Sequence, residues 1–294
     1  MSPLPLIKKG YADTSYGQIH YRYVLPLPET IKKQIPLLLL HKSASSSACY
    51  ESLMIVFASQ GYTCYAPDMP GFGSSFDPTP ILITEITSLG TAWYTSVCIS
   101  ALETIGVFST SSNANAAQGS KVHIIGHHSG AVLAVEMAAT YPDLVASISL
   151  LGPTVMDASE RAAMKEEYFQ TFNEPVTDGS HLLKTWEYLA HMGVGSDLDL
   201  WQREAIDHIR AWKGRNLIYG AVWAQDAEKL YAAVQCPILL MCARDDVLIK
   251  YFGYVKSLRP DVRAVEVQGA NFSPDRDVDG VGRHWKQFLE EIEK

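Results

Sequence analysis

Short apolar runs recur along the chain, and most of them are separated by longer stretches in which the apolar residues follow a helical spacing. Runs of this length that alternate with helical patterns are typical of buried parallel strands joined by crossover helices. The pattern therefore predicts an α/β protein with a mostly parallel central sheet and flanking helices. The six predicted strands lie at residues 36–40, 62–66, 122–126, 146–151, 237–242 and 264–268.

Three stretches depart from this alternation. Residues 11–26 alternate polar and apolar positions around Gly17, which predicts an antiparallel hairpin at the sheet edge. Residues 108–120 are small and polar, which predicts a surface loop or linker. From residue 153 to about residue 233 the strand pattern stops, and helical segments rich in aromatic residues replace it. We therefore predict a core in two parts, 1–152 and 236–294, with an inserted helical cap at 153–235.

Composition and charge exclude several classes of partner. The 294 residues are 47% apolar and 19% charged, as expected for a globular protein with a sizeable core. The net charge of −8 comes without a basic stripe, so neither nucleic acid nor an anionic membrane is an expected partner. Five cysteines without CxxC spacing argue against both a disulfide framework and a zinc site.

The chain shows no targeting or membrane signal. Its first ten residues lack an apolar core of signal-peptide length, and no apolar run approaches the roughly 20 residues that span a bilayer. We therefore expect a cytoplasmic protein that does not bind membranes. The sequence leaves the oligomeric state open, and a homodimer is among the states that it allows.

The segment at 121–139 predicts a strand, a sharp turn and a helix. A strained turn of this kind needs small residues two positions before and two positions after its central residue, because strand and helix pack closely around it. Gly126 and Gly130 meet this requirement if His128 is central. A frame centred on Ser129 would put the bulky His127 at the first small position. We therefore place His128 at the apex of the turn.

Nearly the whole chain resembles the α/β-hydrolase superfamily. The resemblance depends on the LLLLH turn that ends at His41, the loop at 66–75, the turn around His128 and the acid turn at 243–248, together with their order. It implies the α/β-hydrolase fold with an inserted helical cap. It also implies a nucleophile at the sharp turn, an acid after a late strand and a histidine after the last strand.

The implied catalytic positions depart from the family pattern. His128 occupies the position of the nucleophile, and Asn271 occupies the position of the catalytic histidine. The acid position falls on Asp246, with Asp245 one residue away as the alternative. His284, the only later histidine, lies in the last predicted helix and should face elsewhere. The sequence therefore does not encode an ordinary Ser-His-Asp esterase.

The region implied to bind an oxyanion departs as well. The usual His-Gly reads His41-Lys42-Ser43, whereas the backbone N–H of Ser129 stays available by resemblance. Lys42 could contact an oxyanion or enolate, but a solvated loop lysine is the commoner case. The candidate substrate-binding residues are Ser129, Asn271, His41, Ser43, Lys42, Trp186 and Trp223.

We predict a catalytic pair of His128 and Asp246, because loss of the family imidazole leaves room for a direct hydrogen bond. Such a pair can move protons as in isomerases, cyclases and lyases, without a cofactor or a metal. A hydrolase that uses water activated by the pair, or Ser129, is the first alternative. A non-catalytic ligand-binding member is the second. The cap aromatics predict an apolar lid over a small hydrophobic organic substrate.

Overall fold

A computed structural model describes residues 4–108, 121–169 and 173–294 of the chain. Eight strands in these ranges form one sheet in the order β1-β2-β4-β3-β5-β6-β7-β8. β2 runs antiparallel to both of its neighbours, and every other pair is parallel. The strands are β1 Lys8–Asp13, β2 Gln18–Val24, β3 Leu37–Leu40, β4 Cys64–Pro67, β5 Val122–His127, β6 Val145–Leu151, β7 Ile238–Ala243 and β8 Arg263–Val267.

Twelve helices lie in the described ranges, besides two short 3-10 turns. They are α1 Glu51–Ala58, α2 Pro80–Leu89, α3 Thr91–Thr104, α4 Ser129–Thr140, α5 Ala158–Tyr168, α6 Ser180–His191, α7 Leu198–Arg210, α8 Trp212–Ala224, α9 Ala227–Ala233, α10 Ile249–Leu258, α11 Ser273–Arg276 and α12 Val278–Ile292. Within the described ranges, no helix is long and apolar enough to cross a membrane.

The leucines of β3 show how the sheet separates two cores. Leu38 and Leu40 belong to the core on one face, while Leu37 and Leu39 belong to the core on the other. All four are almost fully buried, which contributes about 1.5–3 kcal/mol per side chain. Period-two alternation explains why a strand covered on both faces reads as an unbroken apolar run.

The predicted hairpin at the sheet edge is confirmed, because β1 pairs with β2 from Lys8 opposite Tyr23 to Asp13 opposite Gln18. Gly17 closes the turn, where Thr14 donates its hydroxyl to the Gly17 carbonyl. The loop predicted at 108–120 lies outside the described residues apart from Phe108, which is buried in the core.

Helices α5–α9 occupy the chain between β6 and β7, where the sequence predicts an aromatic-rich helical cap. β6 and β7 are neighbours in the sheet, so this whole insertion replaces one crossover connection. The exact domain boundaries at 152/153 and 235/236 stay a prediction. Because all of β3 and β5–β8 are parallel, their carboxyl ends meet at one edge, and polar side chains that follow these strands come together there.

Candidate active site

A sharp turn between β5 and α4 places His128 at the carboxyl edge of the sheet. Its backbone has φ 47° and ψ −111°, an unusual conformation for a residue with a side chain. Its N–H donates to the Leu151 carbonyl at 3.0 Å, which fixes the turn against β6. Ser129 is already the first residue of α4. His128, and not Ser129, is therefore the apex residue.

The two glycines that flank the turn are required by close packing. A Cβ at Gly126 would lie 2.2 Å from the Gly130 carbonyl oxygen, and a Cβ at Gly130 would lie 2.0 Å from the Leu40 carbonyl oxygen. These neighbours are backbone atoms of the sheet and of α4, so they cannot move aside as a flexible side chain could. The sequence spacing of small residues thus has the expected steric basis.

His128 forms a hydrogen-bonded pair with Asp246 in the turn after β7. His128 Nε2 lies 2.8 Å from Asp246 Oδ2, and the other carboxylate oxygen, Oδ1, accepts from the Leu248 N–H at 2.8 Å. An ionised carboxylate can only accept, so Nε2 is the donor in this contact. Asp245 instead accepts from the Ala270 N–H at 3.1 Å. Asp246 is therefore the residue that pairs with the imidazole.

Gly152, directly after β6, leaves the space that the imidazole fills. A Cβ at this position would lie 2.3 Å from His128 Cδ2, 2.5 Å from His128 Nε2 and 3.1 Å from Asp246 Oδ2. The Cδ2–Nε2 edge of the ring therefore faces Gly152 and the carboxylate. Nδ1 lies on the opposite edge of the ring.

Asn271 follows β8 and joins three parts of the chain. Its amide oxygen accepts from the Val247 N–H at 3.3 Å, and its Nδ2 donates to the Met192 carbonyl at 2.8 Å. The amide thus ties the acid turn to the loop after cap helix α6. His284 lies on α12, away from this cluster, and burial lowers its pKa.

A cavity lies between the sheet edge and the cap. Most of its cap lining is apolar or aromatic. The lining residues from helices α5–α8 and the turn after α6 are Met164, Tyr188, Met192, His208, Tyr219, Val222 and Trp223. The remaining lining residues are Lys42, Ser43, His128, Ser129, Thr154, Val247, Leu248, Asn271 and Phe272.

Two predicted substrate-binding residues, His41 and Trp186, do not line this cavity. His41 is fully buried; its Nδ1 donates to the Lys42 carbonyl at 2.8 Å, and its Nε2 accepts from the Met69 N–H at 2.9 Å. Trp186 stacks on Trp201 with ring centroids 4.6 Å apart inside the cap. Both rings are used by packing and backbone contacts, which corrects the prediction. Trp223 does line the cavity.

Lys42 is buried at the cavity instead of solvated, because a cap residue that the sequence analysis missed supplies its counter-ion. Its Nζ lies 3.1 Å from Glu204 Oε2, and its side chain is 6% exposed. Glu204 also accepts from the Ser45 hydroxyl at 2.8 Å and from Arg203 Nη2 at 2.7 Å. Burial alone would raise the pKa of Glu204, but Lys42 and Arg203 outweigh burial and hold that pKa well below its usual range.

One signal in the sequence could have identified Glu204. Helix α7 is amphipathic, and its buried positions include Leu200, Glu204, Ala205 and His208. Polar residues at 204 and 208 therefore interrupt an apolar stripe with four-residue spacing. Burial lowers the pKa of His208 to about 4, so the imidazole that lines the cavity is neutral near pH 7.

The loop that carries Ser43 contacts the start of α4. The Ser43 backbone N–H donates to Ser129 Oγ at 2.7 Å. The Ser43 hydroxyl is buried and has no hydrogen-bond partner within the described residues. Ser129 therefore acts as an acceptor in the loop contact.

His127 is packed beneath the pair. Its ring meets the His128 ring edge to face, with the ring centroids 4.4 Å apart, and burial, with a smaller contribution from Lys42, lowers its pKa well below the usual value. Ligand atoms of His127, His128 and Asp246 lie within 4.8 Å of one another, a spacing that three metal ligands could share. Two of the three already share the 2.8 Å hydrogen bond. The arrangement as it stands favours the hydrogen-bonded pair.

The family model for the alpha/beta hydrolase fold matches residues 35–272. The chain belongs to the α/β-hydrolase family. A comparison with curated protein sequences found no match. Within the family, similar solved structures include the enol-lactonase from Burkholderia xenovorans, at 15% identity over 96% of this chain and 100% of that one, with a TM-score of 0.72.

Two further structures have the same α/β-hydrolase fold. An epoxide hydrolase from Vigna radiata is 17% identical over 97% of this chain and 98% of that one, with a TM-score of 0.73. E-2-(acetamidomethylene)succinate hydrolase is 20% identical over 97% of this chain and 100% of that one, with a TM-score of 0.68. Identities this low show a shared fold, and the predicted fold class is confirmed.

Proposed function

We propose that this α/β-hydrolase-fold protein is an acid/base enzyme that moves a proton on a small hydrophobic organic molecule, in a reaction of the isomerase, cyclase or lyase type. The observation that carries the proposal is the 2.8 Å contact between His128 Nε2 and Asp246 Oδ2 at a cavity with a largely apolar cap lining. The reaction is expected to need no cofactor, since the imidazole itself takes and returns the proton.

The contact with Asp246 sets the roles of the two ring nitrogens in the proposed mechanism. Nε2 donates to Asp246, and Nδ1, on the opposite edge of the ring, takes a proton from an acidic C–H or O–H of the substrate. The resulting imidazolium is stabilised by the carboxylate of Asp246. Nδ1 then returns the proton to a different substrate atom. General acid/base catalysis of this kind contributes about 10²–10⁴-fold in rate.

The surroundings of Ser129 support proton transfer over a serine nucleophile. Its Oγ accepts the Ser43 N–H, and no imidazole is hydrogen-bonded to it within the described residues. Asn271, at the position of the family histidine, has an amide that cannot act as a general base. The implied triad is therefore degenerate at two of its three positions.

Isotope labelling tests the proposal. Pools of small carbonyl compounds would be incubated in D₂O with the wild type, His128→Gln, Asp246→Asn and Ser129→Ala, and analysed by mass spectrometry. We expect deuterium uptake or isomerisation that falls about 10²–10⁴-fold in His128→Gln and persists in Ser129→Ala. Labelling of Ser129 by a fluorophosphonate, with activity lost in Ser129→Ala, would instead establish a serine hydrolase.

Hydrolysis by water that the same pair activates is the second candidate. It is favoured by the solved structures with this fold, which include an enol-lactonase and epoxide hydrolases. Nδ1 would take its proton from water in place of substrate. Incubation in H₂¹⁸O separates the two, because hydrolysis adds heavy oxygen to the product beyond the spontaneous carbonyl exchange measured with His128→Gln, whereas proton transfer does not. A protein that merely binds its ligand would give neither label.

A further inference from the structure

The loop that follows β3, at residues 41–46, carries polar groups that the proton-transfer pair does not use. In serine hydrolases of this fold, a backbone N–H after β3 and the N–H after the nucleophile together bind the oxyanion. Here the Ser43 N–H is already donated to Ser129 Oγ at 2.7 Å. One of the two backbone donors is therefore occupied, and another group has to bind any negative charge on the substrate.

Lys42 is placed to supply that charge. It lines the cavity, is 5% exposed, and its Nζ lies 4.1 Å from the centroid of Phe272, another cavity residue. An ammonium has three donors, and the described residues give it one hydrogen bond, to Glu204 at 3.1 Å. The buried carboxylate of Glu204 thus fixes the cation at the cavity wall and leaves donors for a ligand.

The Ser43 hydroxyl provides a neighbouring donor. Its Oγ is buried without a hydrogen-bond partner in the described part of the chain, although Ser43 lines the same cavity and is 9% exposed. A buried hydroxyl without a partner costs about 1–3 kcal/mol, so a polar atom of a ligand is the natural partner. An ammonium and a hydroxyl on adjacent residues together select an oxygen with negative charge.

We propose that Lys42 and the Ser43 hydroxyl bind an anionic oxygen of the substrate, which is therefore an enolisable carbonyl compound or a phenol-like planar molecule. The assignment rests on the proposed function, because it names the substrate class of the same cavity. It makes Lys42 a catalytic residue and Glu204 the positioning residue that holds it.

The step balances without another reactant. His128 Nδ1 takes a proton from the carbon beside the carbonyl group, and the C–H electron pair becomes the carbon–carbon double bond of the enolate. The carbonyl π pair moves onto oxygen, where Lys42 and Ser43 stabilise the charge. In a β,γ-unsaturated carbonyl compound the enolate is conjugated with the second double bond. His128 returns the proton to the γ carbon, the electron pair on oxygen forms the carbonyl group again, the remaining double bond lies between the α and β carbons, and the enzyme is restored.

Binding of 4-nitrophenol tests the site without any activity assay, since its ionised form is a planar oxyanion with visible absorbance. At a pH where it is ionised in solution, we expect saturable binding that weakens about 30-fold in Lys42→Met and less in Ser43→Ala. Nitrobenzene, which has no oxyanion, should bind the wild type and Lys42→Met equally. Lys33→Met is the control. Lys33 forms an ion pair with Glu293, close to the C-terminal residue, and neither residue lines the cavity.

Two further variants keep the test decisive. Lys42→Met leaves Glu204 short of a counter-ion, so Lys42→Met/Glu204→Gln removes both charges and should fold while still losing phenolate binding. His128→Gln should keep phenolate binding and lose proton transfer, which separates failure of the anion site from failure of the proposed function. Equal phenolate binding by the wild type and the folded double variant overturns the inference, as does a wild type that binds no phenolate at millimolar concentration.

Discussion

At the scale of single residues, the strained backbone of His128 is held by rigid neighbours. A residue with a side chain in a sparsely populated conformation costs about 1–3 kcal/mol and persists only where its surroundings determine it. Here the Leu151 carbonyl and the close contacts at Gly126 and Gly130 do so. The strain places the imidazole at the start of α4, where the helix dipole disfavours a positive charge and Asp246 favours it.

Gly152→Ala should uncouple the pair. The new Cβ would lie 2.3 Å from His128 Cδ2, so the imidazole must move, and misplacement by about 1 Å can cost roughly 100-fold in rate. We expect at least that loss of proton transfer, measured by deuterium uptake, from a protein that is still folded by circular dichroism. Gly106→Ala is the matched control, because Gly106 also has a positive φ, 76° against 58° at Gly152, and its Cβ would meet nothing within 4 Å. Wild-type rates in Gly152→Ala would contradict the assigned ring position.

At the scale of elements, helix α7 connects the cap to the loop after β3. Glu204 contacts Lys42 and Ser45, and Asp207 accepts from the Ser46 hydroxyl at 2.7 Å. The helix therefore holds both of its inward carboxyl groups against one short loop. Its position therefore affects the position of Lys42 directly.

The stability contributed by Asp207 should depend on pH. Burial and the nearby charge of Glu204 raise the pKa of Asp207 to about 7, so the folded protein binds this proton more tightly than the unfolded chain does. The resulting stabilisation is complete below about pH 4, the ordinary value for aspartate, and is lost as the pH rises through about 7. Asp207→Asn removes the titration and keeps an acceptor for Ser46.

Thermal unfolding of the two proteins between pH 4 and pH 8 measures this effect. We expect the melting temperature of the wild type to fall relative to that of Asp207→Asn as the pH rises through this interval. A difference that stays constant with pH would show that Asp207 titrates normally in the folded protein.

At the scale of the whole molecule, Arg203 fastens the cap to the core. Its guanidinium donates to both oxygens of Asp275 on α11, at 2.7 and 2.8 Å, and to Glu204 at 2.7 Å. Arg203→Met would leave the two largely buried carboxylates of Glu204 and Asp275 with one partner fewer. Such a loss costs about 3–5 kcal/mol for a fully buried pair. The cost here is smaller, because the Arg203 side chain is 28% exposed.

We therefore expect Arg203→Met to lower the melting temperature and to speed proteolysis within residues 153–235. Arg210→Met is the matched control, because Arg210 and its partner Asp77 are 34% and 59% exposed and such pairs contribute about 0–1 kcal/mol. Equal proteolysis of the two variants would show that Arg203 does not anchor the cap.

The sequence predicts the sheet well because strand burial on both faces leaves a local signal, as the four leucines of β3 show. It also predicts the contact between His128 and Asp246, since each follows a strand whose carboxyl end lies at one edge of the sheet. It does not predict the burial of Lys42, because its counter-ion Glu204 lies 162 residues away on a cap helix. The prediction that His41 and Trp186 line the cavity fails for the same reason, because tertiary packing determines which residues they contact.

The cap enters and leaves the core between adjacent strands, β6 and β7. Recombination after β6 and before β7 would therefore exchange the entire cap, and the sheet would keep its register because the two strands are adjacent. Related proteins with this sheet can therefore change their substrate by changing one continuous stretch of the gene, while His128 and Asp246 stay in place. Glu204 limits this exchange. A replacement cap without a carboxylate next to Lys42 would leave the buried Lys42 ammonium without a counter-ion.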